Sequence, residues 1–390
     1  MKRIVVHTPF HNEYDYNDIV YPVPFNQLFN DISKRYSNFG GSFENLPSYV
    51  ITGDIPEWTE QFSDTVMVTG ASENHGYGSF NCLYSMVLAD PYASYVYVDL
   101  GLERMQVQKL FSHFETIHQI QEKMNSNGFI AYRVYAWDNY PVWMNLTGNR
   151  VQRGGYTWKA IPFVDVALRW KAVTLWQDGG NVIRDGISRE LTSARHYGMY
   201  TAASGGNTKK WVYPDTLKFM VDHHMIPNIV LGAGMGAGNH IIVDATNKTI
   251  YNQFLIPYKE CLFTQKCVTP RGSDMTNHRQ DQAVLSVFVH GLHVPRASNG
   301  GTFFSPALRE ERGNKERATI TILNNLLLNI QNTYSIHITN KYYNTTGLHY
   351  TKQNYRFRSR PIDEEWPLEN WGVCFEYVAT KQEYSMYAFV

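Results

Sequence analysis

From residue 65 onwards, two kinds of apolar pattern alternate along the chain. Short runs rich in β-branched and aromatic residues end abruptly on glycine, small residues or one acid: TVMVTGAS from Thr65, SYVYVDLGL from Ser94, GFIAYRVYAW from Gly128 and KAVTLWQDGG from Lys171. Each reads as a buried strand. Between them lie GYGSFNCLYSMVLAD, with Phe80, Leu83, Tyr84, Val87 and Leu88 at helical spacing, then LERMQVQKLFSHFETIHQIQEKM and YTWKAIPFVDVALRW. These read as helices. Strands alternating with helices predict βαβ units, hence an α/β, Rossmann-type, mainly parallel sheet with helices on both faces.

After Gly205 the pattern loosens. YPDTLKFMVDHH predicts a helix with Pro214 in its first turn, LGAGMGAGNHII a glycine-rich loop, and HRQDQAVLSVFVHGL a helix. Beyond about 300 comes a helix over NKERATITILNNLLLNIQNTYS, then Tyr-rich stretches that read as strands or loops. Before residue 60, Pro22, Pro24, Gly40, Gly41 and Pro47 interrupt any periodicity. The expected division is an N-terminal extension (1–60), a main domain (61–300) and a C-terminal appendage (301–390).

Composition narrows the partners. Lys plus Arg equals Asp plus Glu at 35 each, so no global field favours nucleic acid or an anionic membrane. No apolar run reaches the roughly 18–20 residues of a membrane span. The start, MKRIVVHTPFHNEYDYND, turns polar too early for a signal peptide. The expectation is a soluble, cytoplasmic protein of bacterial or viral origin. Cys261 and Cys267 can close a small loop in an oxidising compartment, and they lack a second Cys or His pair for zinc.

In a parallel sheet the ligand crevice lies beyond the carboxyl ends of the strands. Gly70, Ala71, Ser72, Asp99 and Asp178 all fall at such ends. Asp178 in QDGG is, on local sequence alone, an ordinary turn acid. The other strand-end positions tip the balance towards a ligand site. GAGMGAGNH lacks the Lys-Ser/Thr of a P-loop and reads better as a loop making room for an acceptor, Gly236 included. His223 and His224 sit at a helical C-terminus with no third metal ligand in view.

Taken in order, VTGASENHGYGSFNCLYSM, YVYVDLGL, GGYTWKAIPFVDVAL, LWQDGGNVI, YKECLFTQKCVTP and NHRQDQAVLSVF resemble glycosyltransferases of the GT-A fold, over about residues 60–295. The closest resemblance is to a family with DLGL, W-x-D and H-R-x-D-Q elements. It implies transfer of a sugar from a nucleotide-sugar, UDP-linked by preference, to a glycan or glycoprotein. Thr69, Ala71, Ser72, His75 and Asp99 would border the donor, with Gly179 and Gly180 letting it approach. Lys159 would reach its base or pyrophosphate.

Asp178 would take the first position of an Asp-x-Asp element for Mn²⁺ or Mg²⁺, but Gly180 stands where the second acid belongs. That weakens a hard-ion site, and His278 is the remaining candidate ligand. Asp281 is the candidate base for the acceptor hydroxyl, with His278 also in a catalytic role. Arg279 and Gln282 would lie on the phosphate and acceptor side. Alternatives are a glycan-binding protein without catalysis, kept open by Gly180, and a sugar-phosphate nucleotidyltransferase, weakened by the lack of Lys or Arg in TGASENHGYG.

Overall fold

The computed structural model describes residues 65–294 apart from 136–139, 145–152, 184–186 and 227–230, with short pieces at 4–7, 19–21, 49–52, 303–304 and within 326–334. The Tyr-rich tail and Trp137 lie outside the described residues. Eleven strands are present among them: β1 (Ile4–His7), β2 (Ile19–Tyr21), β3 (Tyr49–Thr52), β4 (Thr65–Ala71), β5 (Ser94–Asp99), β6 (Ile130–Val134), β7 (Val173–Gln177), β8 (Val182–Ile183), β9 (Met199–Asn207), β10 (Gly234–Asp244) and β11 (Phe303–Phe304).

Nine of these form one sheet in the order β2-β1-β3-β6-β5-β4-β7-β10-β9. The centre, β6-β5-β4-β7, is parallel throughout. Both flanks are antiparallel: β10 pairs with β7 and β9, and β3 pairs with β6. The three short N-terminal strands thus extend one edge of the sheet.

The helices that matter for the site are α1 (Gly76–Ala89), α2 (Arg104–Lys123), α3 (Thr157–Trp170), α4 (Ser188–Tyr197), α5 (Pro214–Asp222) and α6 (Gln280–Gly291). Alternate residues of a strand face opposite sides, so the sheet has two apolar faces. Val66, Val68, Trp176, Ile241 and Val243 pack against α3 and α6. Met67, Leu175 and Ile242 pack against α1, α2 and α4. Such two-sided burial is why the central strands read as continuous apolar runs rather than alternating ones.

The glycine-rich run expected to be a loop is instead strand β10. Its register against β9 breaks between Gly236 and Ile241. There the strand bulges, and a bulge beside a site is a common way to re-aim backbone. Glycine in a strand interior marks such a place.

Cys261 and Cys267 form a disulfide. This is the small loop that the sequence allows the two cysteines to close in an oxidising compartment. No helix among the described residues is long and apolar enough to cross a membrane.

Candidate active site

The chain reaches α3 through an unusual turn. Arg153, Gly154, Gly155 and Tyr156 all have positive φ, between 40° and 61°. A Cβ on Gly154 would lie 1.9 Å from the Met144 carbonyl oxygen, so only glycine fits. The turn is fastened by the Thr157 hydroxyl donating to Gly154 O (2.8 Å) and the Trp158 indole donating to Arg153 O (3.0 Å). Gly154 and Gly155 adopt this conformation cheaply, whereas Arg153 and Tyr156 hold it at a cost. Here the turn sets Lys159 in the first turn of α3, facing the carboxyl ends of the strands.

Lys159 meets two acids there. Its Nζ is 3.6 Å from Asp178 and 3.5 Å from Asp281. Lys159 and Asp281 are almost wholly buried, whereas the Asp178 side chain is 34% exposed. Burial alone favours a neutral amine, but the carboxylates of Asp178 and Asp281 override it and hold Lys159 above its ordinary value. Burial pushes Asp281 up to about 6, against the lowering pull of Lys159. The result is a permanent cation beside an acid able to exchange a proton near neutrality.

Asp178 is fixed by its neighbours. The Trp176 indole donates to its Oδ1 at 2.7 Å, because residues two apart on a strand share a face. Its backbone N–H donates to Asn239 O in the bulge of β10 (3.0 Å). Gly179 sits against Gly70 O and Ser79, where a Cβ would come within 2.8 Å and 2.9 Å. Gly180 is different: a Cβ there would meet only the His75 ring, at 4.0 Å. Packing within the chain therefore demands glycine at 179 and leaves open space at 180.

On the other side, the bulge brings Gly238 over Asp281 and Gln282, with a Cβ position 3.4 Å from each. Gln282 donates to Gly236 O (2.7 Å). Gln280, just before Asp281, has φ of 50°. Strained backbone thus flanks both Lys159 and Asp281. His75 and Ser72 remain at the rim, gathered on Asn74 Oδ1 at 2.7 Å and 2.8 Å.

Several expected roles are corrected. Asp99 does not face a donor: its Oδ1 accepts from Gly101 N (2.8 Å) and Leu102 N (2.7 Å), and its Oδ2 accepts from the Tyr132 hydroxyl. It ties off the turn after β5. Thr69 is fully buried and donates to Cys82 Sγ, and Ala71 is buried among the α1 and α2 side chains. His278 is neither metal ligand nor free acid. It is fully buried, its Nδ1 accepting from Tyr213 N (3.1 Å) and its Nε2 donating to Val268 O (2.8 Å). Arg279 lies over the Trp211 ring at 4.4 Å and donates to Gly205 O (3.2 Å), so its charge is held against the end of β9.

The residues present do not fit a divalent ion at Asp178. Gly180 supplies no second acid, both His278 nitrogens are engaged, and the Lys159 ammonium sits between the two carboxylates. Among the described residues, no group of three or more His, Cys, Asp or Glu side chains is placed to hold a metal.

No protein-family model and no curated protein matches the chain. Solved structures with a similar backbone path include the bifunctional glycosyltransferase WbbM, at 8% identity and TM-score 0.37, over 63% of this chain and 40% of that one. Another is the mannosyltransferase Ktr4p from S. cerevisiae, at 11% identity and TM-score 0.39, over 73% and 78%. A third is a Bacillus anthracis chain assigned as a glucose-1-phosphate thymidylyltransferase, at 9% identity and TM-score 0.36, over 66% and 95%. The chain therefore spans well under half the length of WbbM. The α/β assignment rests on the strand order and parallel pairings given above.

Proposed function

We propose that this chain transfers a sugar from a nucleotide-sugar, UDP-linked by preference, to a hydroxyl of a glycan or glycoprotein. The observation that carries this reading is the Asp178–Lys159–Asp281 cluster at the carboxyl edge of the parallel sheet. An ammonium has three donors. At 3.6 Å and 3.5 Å, Asp178 and Asp281 hold it as ion pairs, which leaves a donor for a diphosphate oxygen. The three side chains sum to one negative charge. The N-terminal first turns of α1, α3 and α6, which supply Ser79, Lys159 and Asp281, each present a partial charge of roughly +0.5, so the edge as a whole tolerates an anion.

In the reaction the acceptor oxygen bonds to the anomeric carbon, and its proton passes to Asp281. The bond from that carbon to the diphosphate oxygen breaks, and the electron pair leaves with the nucleoside diphosphate beside Lys159. The open space at Gly180 is where the sugar-bearing end of the donor would approach. The nucleotidyltransferase alternative is not supported by the β4–α1 turn, whose residues 70–79 carry no Lys or Arg. The test is nucleoside diphosphate release from a panel of nucleotide-sugars, with wild type and Asp281→Asn compared. Release from one donor that is lost in the variant supports the reading. Release that is equal in both removes Asp281 from it, and no release from any donor favours the glycan-binding alternative.

A further inference from the structure

We infer that the site works without a divalent cation, because Lys159 occupies the position between two carboxylates that such an ion would take. This rests on the transferase reading for its meaning, but the exclusion of the ion stands on geometry alone. The ammonium is within 3.6 Å of both Asp178 and Asp281 and is nine-tenths buried. A divalent ion bound to the same oxygens would lie within contact distance of a fixed positive charge, which it cannot displace without unpairing it in a poorly solvated site. Asp178 Oδ1 is further committed to the Trp176 indole. Position 180, where a second acid would complete the set, is glycine.

The charge that must meet the leaving diphosphate is one an ammonium can supply directly, as a hydrogen-bonded ion pair. No proton or electron is exchanged at Lys159. It stays protonated while the nucleoside diphosphate departs, and the acceptor proton goes to Asp281.

The same geometry yields a converse. Removing the ammonium leaves Asp178 and Asp281 facing one gap, two hard oxygen ligands with nothing between them. Lys159→Ala is therefore expected to acquire a Mn²⁺ site that the wild type lacks.

The experiment titrates Mn²⁺ into ligand-free protein and follows the free ion by electron paramagnetic resonance. UDP is titrated in parallel by calorimetry, in EDTA and in Mn²⁺. Expected are no depletion of free Mn²⁺ by wild type at millimolar concentration, and UDP affinity equal within about twofold in the two conditions. Depletion by Lys159→Ala, abolished in Lys159→Ala/Asp178→Asn, is expected as well. Should Lys159→Ala fail to fold, Lys159→Gln replaces it, and the wild-type titration decides the main point unaided. Wild-type Mn²⁺ binding that Asp178→Asn removes would overturn the inference, as would a tenfold or larger gain in UDP affinity with Mn²⁺. If UDP binds in neither condition, the nucleotide-sugar reading fails, while the ligand-free titration still tests the exclusion of the ion.

Discussion

Lys159 and Asp281 meet at 3.5 Å across the carboxyl edge of the sheet, the first turn of one helix against the first turn of another. Neither position is close to the other in sequence. Burial lifts the acid to about 6 against the pull of its partner, and the two carboxylates keep that partner charged.

Asp281→Asn is expected to lower kcat by about 10²–10⁴, the usual worth of a positioned base, while donor binding remains. In wild type, a pH–rate profile is expected to fall as pH drops below about 6, where Asp281 becomes protonated. Stability moves the opposite way. The folded value lies above the ordinary 3.8, so the contribution of this group is fully present below 3.8 and is lost as pH rises through 6. Because His278 titrates in the same window with the opposite sign, the loss is read as a difference: in urea titrations from pH 4 to 7, wild type should lose stability relative to Asp281→Asn.

His278 is pushed down from 6.5 to about 4 by burial. Its stabilising contribution is therefore present above 6.5 and lost as pH falls through 4, on the order of 3 kcal/mol. Nitrogen NMR of the ring should find the neutral tautomer with the proton on Nε2 at pH 6.

Gly154→Ala puts a Cβ on the Met144 carbonyl at positive φ and should cost roughly 2 kcal/mol or more, seen as a lower Tm. Gly180→Ala meets nothing nearer than 4.0 Å and should leave stability within about 0.5 kcal/mol. If the donor lies across that turn, Gly180→Ala weakens its binding with Tm unchanged, a split that calorimetry and thermal melts read together.

The Cys261–Cys267 disulfide precedes Val268, whose carbonyl holds His278, and His278 precedes Asp281 by one short turn. Reduction should lower stability by about 2 kcal/mol, the chain-entropy worth of so small a loop. A shift of the Asp281 limb in the pH–rate profile on reduction would show that the loop also positions the acid.

Strand ends and helix starts were legible because burial on both faces leaves continuous apolar runs, as in β4, β5 and β7. That Asp178, Lys159 and Asp281 share a site was expected from the family resemblance, not from spacing. In sequence, a strand-end acid that caps its own turn, like Asp99, looks like one that binds a ligand. Likewise a histidine satisfied by two backbone groups, like His278, is indistinguishable there from a free one. The glycines of β10 read as a loop in sequence and hide a strand that is bulged at the site. The role of Trp176 was available, since the period-two rule sets it on the same face as Asp178.

The most direct test is calorimetric titration of wild type and Lys159→Met with a panel of nucleotide-sugars in EDTA. The expected result is that one donor, UDP-linked, binds wild type, and that its affinity falls at least tenfold in a variant that is still folded by circular dichroism. Equal binding by both proteins would contradict Lys159 as the diphosphate contact. Absence of binding by every donor would leave an α/β sheet whose acidic edge serves some other ligand.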